Sequence, residues 1–198
     1  PDRMKLASNP ITINKSNSYD GLGDGITFST PPLEKDTEFT GPIALKLWVS
    51  SSTADADIFA VLRVFDPAGR ELVFQGALDP HTPIAQGWLR ASHRKLDPRL
   101  STEYRPYHTH DEKQPLKPDA KPSLPYRPYH THDEKQPLKP GDIYELDVEI
   151  WPTSIVVPKG WSVALTVRGK DYEWDGEATT LSNMKNPMRG CGPFLHDD

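Results

Sequence analysis

The sequence predicts an all-β protein: a β-sandwich of two antiparallel sheets of the jelly-roll or Greek-key kind. Prolines make up 21 of the 198 residues, about twice the usual share, and a proline has no N–H to donate inside a helix or a central strand. Short segments of alternating apolar and polar residues recur between Gly, Pro and Asp turns, which is typical of strands. No segment keeps the 3.6-residue apolar period of a long helix.

Seven or eight segments have a strand pattern. Segment 42–50 alternates strictly, with four aliphatic side chains on one face and Ala44, Lys46 and Trp48 on the other. Segment 58–65 is almost continuously apolar, which predicts a strand covered on both faces. The other predicted strands are 26–29, 71–75, 87–93, 142–151, 161–167 and 178–181.

Two local patterns sharpen this prediction. The residues Asp66-Pro67-Ala68-Gly69 have proline second and glycine fourth, which favours a type I turn between strands 58–65 and 71–75. Strand 142–151 carries four acids on its outer face, and such a row indicates solvent contact rather than a metal or catalytic role. The acids are Asp142, Glu145, Asp147 and Glu149.

Composition limits the class of protein. The net charge of −5 lacks the basic excess that nucleic acids require, and a mean hydropathy of −0.64 without a long apolar run argues against a membrane span. The single cysteine, Cys191, cannot close a disulfide within the chain, so we expect a cytoplasmic location. We expect one sandwich domain over residues 22–198, an extended segment over 1–21, and further chain before Pro1.

The chain contains an internal duplication in a proline-rich loop. Residues 104–118 are repeated letter for letter as 126–140, and nine of the 21 prolines lie between Asp97 and Gly141. The repeated unit has almost nothing apolar to bury, so it is a local duplication rather than a solenoid repeat. We expect one copy to follow the path of the loop and the other to bulge outward or contact a neighbouring molecule, which makes a homo-oligomer one expectation. The sequence leaves open which copy is original.

An activated nucleophile is not indicated. The chain contains no G-x-S-x-G elbow, and its serine cluster at 50–52 lacks the small flanking residues of such an elbow. Cys191 lies five residues before His196 in a glycine- and proline-rich tail, which does not indicate a positioned catalytic pair. We therefore predict no catalytic residue in this chain.

The duplication also doubles a pair of histidines. In each copy two histidines are separated by a single threonine on an extended segment, which resembles the start of a cupin metal site. Glu112 and Glu134 follow the second histidine by only two residues, which is closer than that pattern requires. We predict no functional metal and no cofactor, only an exposed polar loop with adventitious metal affinity. A cupin-like metalloenzyme is the open alternative. The histidines are His108, His110, His130 and His132.

Aromatic residues offer a binding alternative. Five tryptophans could form a sugar-stacking platform of a carbohydrate-binding module, or they could fill the core or meet another domain. Trp48 and Trp161 lie in predicted strands, which favours the core. Trp174, with Tyr172 beside it in a predicted loop, and Trp88 are the candidate interface or ligand contacts. Asp55 and Asp57, at the start of a strand, are explained by turn closure as well as by calcium.

Several motifs in fixed order resemble the carboxy-terminal domain of the X-Pro dipeptidyl-peptidase and cocaine esterase family of serine hydrolases. The resemblance covers about residues 22–198. Its motifs are Phe28–Ser51 followed by Asp55-Ala-Asp57, then Gly87–Pro98, Arg-Pro-Tyr-His, Pro140-Gly-Asp142 ahead of Leu146–Ser154, and Gly190–Asp198. The family pattern has one Tyr-Arg-Pro-Tyr-His segment where this chain has two.

The resemblance implies a galactose-binding-like jelly roll that follows an α/β-hydrolase domain and is itself non-catalytic. It implies that the catalytic Ser, Asp and His belong to that other domain, which becomes the expected partner. The chain alone should then be inactive, while its parent would be a serine hydrolase or dipeptidyl-peptidase.

Overall fold

The computed structural model describes residues 16–75, 81–96, 101–102, 105–106 and 135–174. In this part of the chain, seven strands and one short 3₁₀ turn make up the regular structure. The strands are β1 (Ile26–Ser29), β2 (Thr37–Val49), β3 (Asp57–Phe65), β4 (Glu71–Leu72), β5 (Ala85–Arg90), β6 (Tyr144–Val157) and β7 (Ser162–Arg168), and the 3₁₀ turn is Ala91–His93.

The strands form two antiparallel sheets. The larger sheet has the order β1-β7-β3-β4, with β5 also pairing with β3, and the smaller sheet consists of β2 and β6. The prediction of an all-β sandwich is confirmed. The jelly-roll and galactose-binding-like details stay predictions, because the described strands do not establish that connectivity.

Strand β3 is the centre of the larger sheet and is buried on both faces, as its continuous apolar pattern predicts. Ile58, Ala60, Leu62 and Val64 point into the core between the sheets. On the opposite face, Val61 is equally buried. A strand flanked by β7 on one side and by β4 and β5 on the other has no free edge, so its backbone groups are paired along most of its length.

The smaller sheet supplies the other side of the core. Leu146, Val148 and Ile150 of β6 are buried, and Leu45 and Leu47 of β2 pack against them. The three acids of β6 point to the opposite, outer face, as predicted from their alternation, while Asp142 lies in the turn before the strand. Up to the register shift, alternate residues of these strands therefore divide between core and surface; beyond it, Ile155 and Val157 are the ones that pack on the core.

Both strands of the smaller sheet are longer than the sequence pattern indicated. β2 begins at Thr37 rather than at 42, and β6 continues past Trp151 to Val157. The register shifts between Gly41 and Ile43, and Pro42 and Pro152 lie in this irregularity. A proline is tolerated there because a bulge does not need its missing N–H.

Other predicted elements differ at their ends. Segment 71–75 is a strand only over β4, followed by an isolated bridge between Phe74 and Thr82. The predicted strand 87–93 ends at Arg90 and continues as the 3₁₀ turn. The turn at Asp66 is confirmed by a hydrogen bond from the Gly69 N–H to the Asp66 carbonyl, 2.9 Å long. Segment 178–181 lies outside the described residues.

The described parts of the duplicated loop come from both copies. Arg105 and Pro106 belong to the first copy; Pro106 is buried, and Arg105 bridges to Thr102. Lys135–Pro140 belongs to the second copy and leads directly into the turn before β6. The predicted extended segment is described from residue 16, and its Tyr19 packs against the core. Within the described ranges, no helix is long and apolar enough to cross a membrane.

Candidate interface

Two exposed tryptophans meet at one corner of the sandwich. Trp88 of β5 is 50% exposed and Trp151 of β6 is 57% exposed. Their ring centroids are 5.2 Å apart and their planes are inclined by 52°, a geometry that aromatic pairs favour. The two residues come from different sheets, so only the packing of one sheet on the other brings them together. We call them the tryptophan pair.

A glycine makes this corner possible. A Cβ atom on Gly87 would lie 1.8 Å from the Glu149 carbonyl oxygen and 2.9 Å from the Ile150 Cα. Strand β5 therefore contacts the backbone of β6 directly, since any larger residue at this position would hold the strands apart. The close approach places Trp88, the next residue, beside Trp151.

Charged groups lie beside the tryptophan pair on the outer face of β2 and β6. Arg105 approaches Glu149 with 3.4 Å between Nε and Oε1, and Lys46 contacts both Glu145 and Asp147. Partial burial lowers the pKa of Lys46, but its hydrogen bonds and attraction to those two carboxylates outweigh burial and raise the pKa overall. This surface is apolar at the corner and charged along the strand.

The other two candidate contacts are placed differently. Tyr172 is only 1% exposed and lies inside the fold. Trp174 is half-buried and stacks on His81, with ring centroids 4.8 Å apart and planes inclined by 6°. One face of the Trp174 ring is thus covered by His81. Among the three candidates, Trp88 presents the most open ring.

The core assignment of the two strand tryptophans is half right. Trp161 is partly buried and packs against the core, as predicted. The prediction is wrong for Trp48, which is 40% exposed. Trp48 lies opposite Glu145 on the outer face of the smaller sheet, and residues directly opposite in an antiparallel pair share one face.

The acids at the start of β3 serve the fold. The Asp55 carboxylate accepts hydrogen bonds from the Ser92 N–H at 2.9 Å and the Ser92 hydroxyl at 2.6 Å. Asp57 accepts two hydrogen bonds from the Arg90 guanidinium, both 3.0 Å long. These contacts hold the 3₁₀ turn and β5 against the start of β3. They join residues 37 and 33 positions apart, so they differ from the local turn closure that the sequence predicted.

The residues considered for chemistry are accounted for in part. Ser51 Oγ lies 2.9 Å from Thr53 Oγ1 and accepts the Thr53 N–H, so it closes a turn. The four loop histidines, Cys191 and His196 lie outside the described residues. Within the described ranges no three His, Cys, Asp or Glu side chains are grouped as a metal site would require.

Comparison with known proteins identifies the family. The sequence model of one protein family, the X-Pro dipeptidyl-peptidase C-terminal non-catalytic domain, matches residues 4–181, which is most of the chain. The chain belongs to this family. The resemblance read from the ordered motifs is thereby confirmed.

Relatives of this C-terminal domain occur in larger hydrolases. A Mycobacterium bovis protein whose name assigns it provisionally to the serine esterases is 30% identical over 148 residues, which is 74% of this chain and 19% of that protein. The crystal structure of a CocE/NonD family hydrolase from Staphylococcus aureus matches with a TM-score of 0.65 and 25% identity, over 88% of this chain and 28% of that chain. The chain thus spans 19% of the first of these relatives and 28% of the second.

Sequence reasoning named Trp88 but did not pair it with Trp151. The usable signal was the alternation of β6, which places Trp151 on the same outer row as Glu145, Asp147 and Glu149. The partner strand could not be read from that pattern, because β5 and β6 are separated by the whole duplicated loop. A glycine in a strand often marks a close backbone approach, and Gly87 is such a signal that the sequence prediction did not use.

Proposed function

We propose that this chain is the accessory C-terminal β-sandwich of an α/β-hydrolase-type serine hydrolase that cleaves esters or amides, X-Pro dipeptides included. In this proposal it packs on the catalytic domain of the same parent chain, helps to wall the catalytic cleft, and performs no catalysis itself. The non-catalytic description of the family and the hydrolase relatives support this function. The missing G-x-S-x-G motif agrees with it.

The tryptophan pair is the observation that carries the packing role. Single exposed apolar residues are normal on a protein surface, but two adjoining large aromatics are characteristic of protein interfaces. Trp88 and Trp151 keep about half of their surface in solvent although each contacts the other. Burying the apolar part of that surface against another domain would gain about 25 cal/mol per Å² removed from water.

The charged row beside the tryptophan pair would determine how the two domains are oriented at the proposed interface. Lys46 partly neutralises Glu145 and Asp147, and Arg105 faces Glu149. Charged groups at the rim of an interface fix its register more than its strength. We therefore place the tryptophan pair at the centre of the contact with the catalytic domain and the acids of β6 at its rim.

The test uses the full-length parent enzyme with the double change Trp88→Ala and Trp151→Ala. We expect its single thermal transition to split in two as the domains uncouple, and KM for a p-nitrophenyl ester to rise severalfold. The matched control is Phe28→Ala, an exposed aromatic on β1 at the opposite edge of the larger sheet. An unsplit transition and unchanged KM in the double variant would place the interface elsewhere.

The absence of catalysis is tested on the chain alone. We expect the purified chain not to hydrolyse a p-nitrophenyl ester above the buffer rate. Hydrolysis by the pure chain would contradict the accessory role. Activity lost with the double change Ser51→Ala and Cys191→Ala would place the nucleophile at one of those residues, and activity that survives it would place the nucleophile elsewhere in the chain.

Carbohydrate binding is the competing function, and Trp174 was its leading residue. His81 covers one face of that ring, which leaves one face for a sugar. Titration with a panel of oligosaccharides decides between the two functions. Binding that disappears with Trp174→Ala would favour a carbohydrate-binding module. No binding to any oligosaccharide of the panel would support the accessory role.

A further inference from the structure

The end of the duplicated loop, residues 136–141, packs against the backbone of Ser51, Ala54 and Ser92 beside the 3₁₀ turn, and we call this surface the loop groove. Gln136 donates its backbone N–H to the Ser92 carbonyl at 2.9 Å, and Leu138 donates to the Ala54 carbonyl at 2.7 Å. The Leu138 side chain is 3% exposed and belongs to the core. The segment is therefore held by alternate backbone hydrogen bonds and one buried anchor, as an added strand would be.

The spacing of prolines in the segment matches the donors that the groove uses. Lys139 donates its N–H to the Tyr144 hydroxyl at 2.9 Å, and Gly141 donates to the Ser51 carbonyl at 2.9 Å. With Gln136 and Leu138, every residue from 136 to 141 that has an N–H donates it. The remaining two positions, 137 and 140, are prolines. The sequence Gln-Pro-Leu-Lys-Pro thus fits the groove without an unpaired donor.

An arginine closes the groove over this segment. Arg94 donates from Nη1 to the Gln136 carbonyl at 2.5 Å and to the Ala91 carbonyl at 3.1 Å. Its guanidinium carbon also lies 4.6 Å from the centre of the Tyr144 ring. A cation stacked on an aromatic ring while it donates to carbonyls is well positioned to hold a backbone in place.

The same five residues occur a second time in the chain, as Gln114–Pro118. We propose that the loop groove is a binding site for the peptide Gln-Pro-Leu-Lys-Pro and that either copy can occupy it, the loop shifting by 22 residues between the two states. The structure shows the second copy in place. The first copy lies outside the described residues and enters this proposal through its sequence alone.

Two features explain why the second copy is the one observed. The residue after it is Gly141, whose φ of 87° suits glycine, whereas the first copy is followed by Asp119. With the first copy in the groove, the chain forms one loop before that copy and another after it, whereas the second copy requires only one loop. The extra loop closure adds a modest entropic cost to the state with the first copy bound. The state with the first copy in the groove is therefore populated only when binding of the second copy is weakened.

A double-mutant cycle on the full chain tests the exchange. Leu116→Ala alone should leave the urea midpoint unchanged. We expect Leu138→Ala to lower the folding equilibrium constant by about tenfold when Leu116 is present, because the first copy takes the groove. In the Leu116→Ala background, Leu138→Ala should lower the folding equilibrium constant by about a hundredfold or more, because no second leucine can replace the buried one. An equal effect in both backgrounds overturns the proposal. If the double variant does not fold, Leu→Val changes at both positions give the same cycle on a smaller scale.

Limited trypsin digestion gives a second, direct readout. Cleavage between Lys135 and Gln136 should be slow in the parent chain, since the Gln136 N–H is bonded in the groove. In the Leu138→Ala variant, protection should move to the bond between Lys113 and Gln114, independently of protein concentration. Protection that stays at Gln136, or that moves only at high concentration through a second molecule, contradicts exchange within one chain.

Discussion

Gly87 shows how one residue determines the contact between two sheets. The space at its Cα is filled by the backbone of β6 rather than by a movable side chain. Backbone cannot withdraw without disturbing the pairing of β2 with β6, so a methyl group at this position must separate β5 from β6. The tryptophan pair depends on that separation remaining small.

We predict that Gly87→Ala destabilises the chain by about 3 kcal/mol, because overpacking against a backbone is relieved only by moving a strand. Urea unfolding measures this loss. The matched control is Gly21→Ala, whose added Cβ meets nothing within 4 Å and should change stability by less than about 0.5 kcal/mol. Similar losses in the two variants would mean that β5 does not contact β6 as closely as described.

Asp66 illustrates a residue that stabilises a turn through its charge. Its carboxylate accepts the backbone N–H groups of Arg70 and Ala68, both at 2.9 Å, and the Arg70 guanidinium at 2.8 Å. The backbone hydrogen bond from Arg70 is the largest of the effects that lower the pKa of Asp66 below its usual 3.8. The hydrogen bonds of the turn thus stabilise the ionised carboxylate relative to the neutral acid.

The stability contributed by Asp66 should therefore depend on pH. A carboxyl whose pKa is lowered by folding stabilises the protein above its unfolded pKa, and this contribution is lost as the pH falls through the folded pKa. We expect Asp66→Ala to lower the urea midpoint at pH 7 and to lower it by less at pH 3. A difference between variant and parent that is the same at both pH values would exclude the charge as the cause.

Among the elements, the β3–β4 hairpin is joined by a largely buried ion pair. Arg63 donates from Nε and Nη2 to the two carboxylate oxygens of Glu71, at 2.8 and 2.7 Å. β4 is only two residues long, so its backbone pairing alone is a weak attachment. The two parallel hydrogen bonds fix the orientation of β4 as well as its position.

We predict that Glu71→Ala costs about 3 kcal/mol, because it leaves the Arg63 guanidinium without its carboxylate in a mostly buried site. Lys46→Ala is the matched control, since the Lys46 side chain is half-exposed and a surface pair contributes less than about 1 kcal/mol. Thermal or urea unfolding of both variants provides the comparison. Equal and small losses would show that the hairpin is held by its backbone.

The prolines explain why strand positions were predicted better than strand ends. The sequence pattern of β2 and of β6 is interrupted by Pro42 and Pro152, so each strand was predicted too short. In the structure the two prolines lie in the same register shift, on facing strands. One bulge accommodates both, and pairing resumes beyond it. A single strand gives no sign that its interruption is matched by its partner.

At the scale of the whole molecule, the tryptophan pair and the core should differ in what they contribute to this chain alone. Leu146 is fully buried between the sheets, and Leu146→Ala should cost about 3 kcal/mol. The double change of Trp88 and Trp151 to alanine should cost less, about 2 kcal/mol for the two residues together, because both rings keep half of their surface in water and their mutual contact is worth only about 0.5–1.5 kcal/mol. Urea unfolding of the isolated chain measures both. A large loss in the double variant would make the pair a part of the fold rather than a surface reserved for another domain.

The candidate interface was predictable only in part. Trp88 could be named because it is a large aromatic in a segment with two mixed faces. Tyr172, named with it, lies inside the fold, and Trp48, assigned to the core, lies on the surface. The alternation of segment 42–50 already placed Trp48 on the face of Lys46, opposite the aliphatic side chains, and the structure follows that pattern rather than the core assignment. Tyr172 lies in a loop, where alternation gives no information about burial.

By itself the sequence determined the class of the protein, most of its strands and its family, because these depend on local alternation, turn residues and motif order within short segments. Only the tertiary structure decided which tryptophans adjoin, how two prolines share one bulge, and which copy of the duplicated loop supplies each contact. Those features depend on pairing between segments as far apart as β2 and β6. Identical or similar local sequences can satisfy such pairing in more than one way, so it is resolved only when the two sheets pack.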